Sequence, residues 1–248
     1  MSGGTSSERV IITGAAGGIG AALSAHFLSL GHEVTGVDID AFPPALSQCD
    51  GFTAHCADVT DEPAMEAVFD AAAATGPIRT VIANAAVTDL DHADTLSLPY
   101  ATWARVLEIN VTGSFVTART GARRMAASGG GNIVFVTSSL ARLSDAKAND
   151  APYCTSKAAV EMLARVMALE LASTGINVNT LFPSAMIDTG FFARWDAAAR
   201  AKLAAPGILN ETAAFLAALA PGAATGRALD QARWVKDTAY RASWGASK

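Results

Sequence analysis

The sequence predicts one α/β domain, a doubly wound parallel sheet of about seven strands with helices on both faces. Short β-branched runs alternate with longer helical stretches along the whole chain, which is the pattern of a parallel sheet covered by its crossover helices. Runs such as Val10-Ile11-Ile12 and Ile133-Val134-Phe135-Val136 are apolar at every position, as strands buried on both faces must be. At 248 residues, 51% hydrophobic and 17% charged, the chain has the length and apolar content for one large core.

Charge narrows the function classes. There are 18 Lys plus Arg against 23 Asp plus Glu, a net charge of −5, and the longest basic run is Arg123-Arg124. Neither a nucleic acid nor a membrane is therefore the expected partner, and small-molecule work is. Cys49, Cys56 and Cys154 form no close pair, and His26, His32, His55 and His92 lack metal-ligand spacing, so neither a disulfide framework nor a metal site is expected. A reducing cytoplasm is the expected location. Residues 1–8 read as a polar leader without signal-peptide character. The Ala-rich stretch from Thr212 to Gly226 is broken by Pro221 and Gly222 and reads as a packed helix plus turn.

Strands are expected at Val10 to Thr13, Val34 to Asp38, Phe52 to Ala57, Thr80 to Ala83, Ile133 to Thr137, Ile176 to Leu181 and Ala228 to Ala232. Helices are expected to start near Ile19, Glu62, Tyr100, Pro152 and Asn210. The first strand runs directly into Thr13-Gly14-Ala15-Ala16-Gly17-Gly18-Ile19-Gly20, and an amphipathic helix follows. Glycines there permit positive φ and close approach of backbone to ligand, and the N–H groups at the helix start attract a pyrophosphate. Strand before and helix after mark this as the turn of a Rossmann-type dinucleotide fold. The second strand ends at Asp38, eighteen residues after Gly20, where such a fold places an acid against the adenosine ribose hydroxyls. A carboxylate there repels a 2′-phosphate, and no Arg or Lys stands in the turn or at Ile39 and Asp40. NAD is the expected cofactor.

The helix expected to start near Pro152 brings the chemistry. Tyr153 and Lys157 are four residues apart and share one helix face, after a start in which Asp150 is a candidate cap and Pro152 stands in the first turn. A phenol that works as an acid/base near pH 7 needs its pKa lowered by about three units, roughly 4 kcal/mol. A neighbouring cation in a desolvated site supplies that order.

Four segments together resemble the short-chain dehydrogenase/reductase family. They are the Thr13 to Gly20 turn, Asn110-Val111-Thr112-Gly113-Ser114-Phe115, Ser138-Ser139, and Tyr153-Cys154-Thr155-Ser156-Lys157. The resemblance runs from about Arg9 to Thr189. It implies that Tyr153 exchanges a proton with the substrate oxygen and that Ser139 hydrogen-bonds the same oxygen, with Ser138 as the alternative if the loop is registered differently. It further implies that Lys157 lowers the Tyr153 pKa and holds the nicotinamide ribose, and that Asn110 sits at a helix interruption and holds a water leading from Lys157 to solvent. By the same resemblance Gly14, Gly17, Gly18, Ile19 and Gly20 cradle the pyrophosphate. Asp58 and Val59 meet the adenine, Asn84 and Ala85 lie beside the adenosine ribose, and Pro183, Ile187 and Thr189 meet the nicotinamide.

The expected reaction transfers a hydride between NAD(H) and a secondary alcohol or ketone, and the expected assembly is a homotetramer or homodimer. A regulatory dinucleotide-binding protein without turnover is the alternative. The sequence departs from the family in reading Ala83-Asn84-Ala85-Ala86 after the fourth strand, Pro183-Ser184 after the sixth, and Asp230-Gln231-Ala232 near the end. Residues of about 184–210 are expected to cover the substrate, with Phe191, Phe192, Arg194 and Trp195 as candidate walls and Arg142 as a further candidate. A tail of about 234–248 follows, as pocket closure or as part of an interface.

Overall fold

A computed structural model describes residues 8–245. Most of the expected leader and the last three residues of the tail lie outside that range. In chain order the strands are β1 (Arg9–Thr13), β2 (Glu33–Asp38), β3 (Phe52–Cys56), β4 (Ile78–Ala83), β5 (Gly131–Val136), β6 (Ile176–Phe182) and β7 (Ala228–Asp230). The α-helices are α1 (Gly18–Ser29), α2 (Pro44–Ser47), α3 (Glu62–Thr75), α4 (Tyr100–Leu107), α5 (Gly113–Ala127), α6 (Ala151–Glu170), α7 (Ala197–Arg200), α8 (Asn210–Ala217), α9 (Gln231–Lys236) and α10 (Thr238–Ser243). All seven strands are parallel, in the order β3-β2-β1-β4-β5-β6-β7.

Alternation along each strand builds two cores. Ile11, Val81, Ile133, Phe135 and Val178 face α3, α5 and α6, where they meet Phe69, Met125, Val160 and Met167. Val10, Ile12, Ile82, Val134 and Leu181 face the other way onto Leu23 and Phe27 of α1 and Leu216 of α8. Each such fully buried side chain contributes about 1.5–3 kcal/mol. The strand order reverses between β1 and β4, which opens a crevice at their carboxyl ends where ligands of this architecture bind.

Strand positions agree with expectation to within two or three residues. Between α4 and α5, Glu108–Thr112 forms a π-helical turn, which interrupts the helix at Asn110. In the tail, Trp244 is buried among Phe215 and Tyr240, and Trp234 stacks on Phe215. The described part of the tail therefore packs against α8 and β7. No helix among the described residues is long and apolar enough to cross a membrane.

Candidate active site

A cavity of about 550 Å³ lies along the carboxyl ends of β1, β4 and β5. One end is formed by the turn between β1 and α1. Gly14 has φ +67°, and a Cβ there would stand 2.8 Å from the Ala85 Cα. At Gly20 a Cβ would overlap the Gly14 carbonyl oxygen at 1.9 Å, so only glycine lets the helix start so close under the turn. Asn84 fastens the turn to β4, donating from Nδ2 to the carbonyls of Thr13 (2.9 Å) and Gly14 (3.2 Å). Thr13 Oγ1 in turn accepts from the amides of Asn84 and Ala85.

Helix α1 begins with no side-chain cap on Gly17, so its leading N–H groups are left for an anion. Asp38 Oδ2 accepts from the Ala16 amide at 2.8 Å, and the carboxylate also faces the cavity. These features fit a dinucleotide: a glycine cradle that a side chain would fill, an uncapped helix start, and an acid at the end of β2. Gly17, Gly18, Ile19, Asp58, Val59, Ala85, Pro183, Ile187 and Thr189 line the same cavity. Thr189 comes close to the turn, since a Cβ on Gly18 would meet its Cγ2 at 3.1 Å.

At the other end, α6 carries Tyr153 and Lys157 into the cavity on one face. Lys157 is buried, with its Nζ donating to the Val136 carbonyl at 2.9 Å and lying 5.7 Å from the centre of the Tyr153 ring. Burial pushes the lysine down to about 8, opposed by the charge of Glu161 one turn further along α6. Glu161 is itself held by the hydroxyls of Thr137 (2.6 Å) and Thr180 (2.9 Å), so a carboxylate that sequence reading passed over supports the ammonium from below. Burial also pushes Tyr153 up to about 12, with Ser138 acting against that rise. Desolvation outweighs its polar contacts and favours the protonated phenol.

Ser138 and Ser139 both line the cavity with Tyr153. Ser138 is extended and starts a 3-10 turn over Ser139–Ala141, accepting from the Leu140 amide at 3.2 Å. A second 3-10 turn, Leu143–Asp145, follows before α6 begins.

Asn110 lies in the π-helical turn, fully buried. Its Oδ1 accepts from the Val87 amide at 2.8 Å, and its Nδ2 donates to the Val87 carbonyl and to Ser156 Oγ, each at 2.9 Å. Ser156 Oγ donates on to the Tyr153 carbonyl at 2.8 Å. Both side-chain hydrogens are therefore taken up in tying the loop after β4 to α6. The interruption of the helix is as expected, and the side chain is seen positioning Tyr153's helix.

The substrate end divides the candidates. Phe191 meets the Tyr153 ring edge to face at 5.7 Å, and Phe191 and Phe192 line the cavity. Trp195 packs on Phe192 from outside, and Arg194 turns away to Asp91 at 2.6 Å. Arg142 lies over the Phe182 ring, 3.9 Å from Asp230. None of these three lines the cavity: Trp195 is held by Phe192, Arg194 by Asp91, and Arg142 by Phe182 and Asp230. Sequence reading missed His92, Lys147 and Asp150, which do line it. Asp150 stands at the start of α6 without capping it.

The sequence profile described as short chain dehydrogenase matches residues 8–200. The cis-4-hydroxycyclohexanecarboxylate dehydrogenase of Sinomonas cyclohexanicum is 35% identical over 226 residues, covering 85% of this chain and 89% of that protein. The NADPH-dependent aldehyde reductase 2 of Arabidopsis thaliana chloroplasts is 29% identical over 202 residues, 73% of each chain. A short-chain type dehydrogenase/reductase from Mycobacterium marinum has a similar structure, with a TM-score of 0.80 at 28% identity over 90% of this chain and 93% of that one.

Proposed function

The chain belongs to the short chain dehydrogenase family, and on that premise we propose that this oxidoreductase interconverts a secondary alcohol and a ketone with NAD as its hydride carrier. The observation that carries the reading is that Tyr153, Lys157 and the serine pair Ser138-Ser139 line one cavity with the glycine turn. When bound, the nicotinamide gives or takes the hydride. The start of α1 would hold its pyrophosphate, Asp38 its adenosine ribose, and Lys157 and Thr189 its nicotinamide half.

Tyr153 gives its proton to the substrate oxygen during reduction and takes it back during oxidation. Ser139 steadies that oxygen with a hydrogen bond, with Ser138 as the alternative in the same stretch of the cavity lining. The ammonium of Lys157 favours the phenolate that remains after proton transfer, and at pH 7 a lysine ionising at about 8 is mostly charged. Asn110 acts by positioning, through Ser156 and Val87, and a water held near it would complete a path from Lys157 to solvent.

NAD, as against NADP, rests on Asp38, since one of the relatives is named for NADPH. Asp38→Ala is expected to lower the ratio of kcat/KM for NAD over NADP at least tenfold, and an unchanged ratio would reduce Asp38 to a brace for the Ala16 amide. An oligomer built on α5 and α6 is part of the same reading. Met162, Val166 and Leu169 form an exposed apolar stripe on α6 at helical spacing, with Phe115 exposed on α5. Light scattering is expected to give a dimer or tetramer that Leu169→Glu dissociates; a monomeric wild type contradicts it. A cytoplasmic location is proposed on the same footing.

A further inference from the structure

Beside Tyr153 stands a polar cluster that proton transfer does not use. Asp150 is almost fully buried, and its carboxylate takes His92 Nδ1 at 2.9 Å and Lys147 Nζ at 2.8 Å. Its position is the N-cap of α6, where an aspartate ordinarily bonds the leading amides for about 0.5–2 kcal/mol. Here it makes no cap bond and faces His92 and Lys147. His92 holds a left-handed backbone, φ +49°, a region usually left to glycine, while its ring meets Asp150. An ionised carboxylate can only accept, so Nδ1 donates; Nε2 is the nitrogen left for a ligand, and it donates to an anion when the ring is protonated.

Charge along the cavity is divided. Asp38, Asp40 and Asp58 line the glycine-turn end, whereas Lys147 and Arg105 join His92 and Asp150 in the rest of the lining. Asp150 offsets one of those cations. Arg105 makes no ion pair among the described residues, and a protonated His92 adds a further positive charge. Opposite stand Phe191 and Phe192, an apolar wall.

We propose that His92 and Lys147, held in place by Asp150, form a subsite for an anionic group of the substrate, so that the substrate class is a hydroxy or keto acid with its carboxylate set apart from the reacting carbon by an apolar body lying on Phe191 and Phe192. The proposal rests on the oxidoreductase reading for its substrate, but the subsite itself is read by binding.

The test uses cyclohexanecarboxylate, which has no carbinol to oxidise, and its neutral isostere cyclohexanecarboxamide, titrated calorimetrically into the NADH-saturated protein. The acid is expected to bind at least tenfold tighter than the amide, the size of one charge-assisted hydrogen bond. His92→Asn, which keeps a residue tolerant of positive φ, and Lys147→Met are each expected to collapse that ratio about tenfold, and Lys147→Arg to restore it. A merely structural His92–Asp150 tie would leave the ratio as it is. Equal binding of acid and amide, no binding of either, or variants with the wild-type ratio overturns the proposal. Acid selectivity in a protein that turns over no alcohol counts against the dehydrogenase reading alone.

Discussion

Tyr153→Phe is expected to lower kcat at least a hundredfold with NADH affinity within about twofold of wild type. The change removes one oxygen and keeps the ring that packs against Phe191, so the fold and the dinucleotide site stay as they are. What is lost is the proton donor, and general acid/base catalysis by one positioned side chain carries about 10²–10⁴ in rate. Steady-state kinetics beside a fluorescence titration with NADH checks both halves. Near-normal turnover would mean that another group moves the proton, and weakened NADH binding would mean that the variant had disturbed the site.

The second large effect separates neighbouring serines. Ser139→Ala is expected to lower kcat about a hundredfold, as loss of one preorganised donor to a charged oxygen does, while Ser138→Ala stays within about threefold. Both hydroxyls line the cavity, and Ser138 is the one that caps the 3-10 turn by accepting from the Leu140 amide. Matched kcat values for the two variants across one substrate panel decide it. The reverse order would give the role to Ser138.

These two residues show where sequence reading works and where it stops. The seven strands and the glycine turn were legible because each is fixed by local rules: full apolarity for a strand covered on both faces, and Gly20 packed against the Gly14 carbonyl. Tyr153 and Lys157 were legible because helical geometry alone puts them on one face. The choice between Ser138 and Ser139 was not, since it depends on the path of the loop that follows them, and an irregular loop has no period to count along. Arg142 and Arg194 were misplaced for a related reason. A long flexible side chain goes to the nearest favourable partner, here Phe182 and Asp91, and that partner is set by tertiary structure. Asp150 was read as a helix cap from its position, and His92 from its isolation in sequence as a residue without a role. Only folding brings the two, fifty-eight positions apart, within 2.9 Å. Glu161 left no sequence signal that distinguishes it from an exposed helix acid, and its contacts with Thr137 and Thr180 come from two neighbouring strand ends.

The central claim is that this protein moves a hydride between a carbinol carbon and a nicotinamide, with Tyr153 handling the proton. It is tested most directly by supplying NAD with secondary alcohols deuterated at the carbinol carbon, aliphatic, aromatic and acid-bearing, and weighing the reduced cofactor by mass spectrometry. Wild type is predicted to yield NADH carrying one deuterium with at least one alcohol of the panel, and Tyr153→Phe to yield at least a hundredfold less in the same time. NADH that binds tightly while no deuterium ever reaches the cofactor, across the whole panel, would contradict the account and leave a dinucleotide-binding protein without turnover.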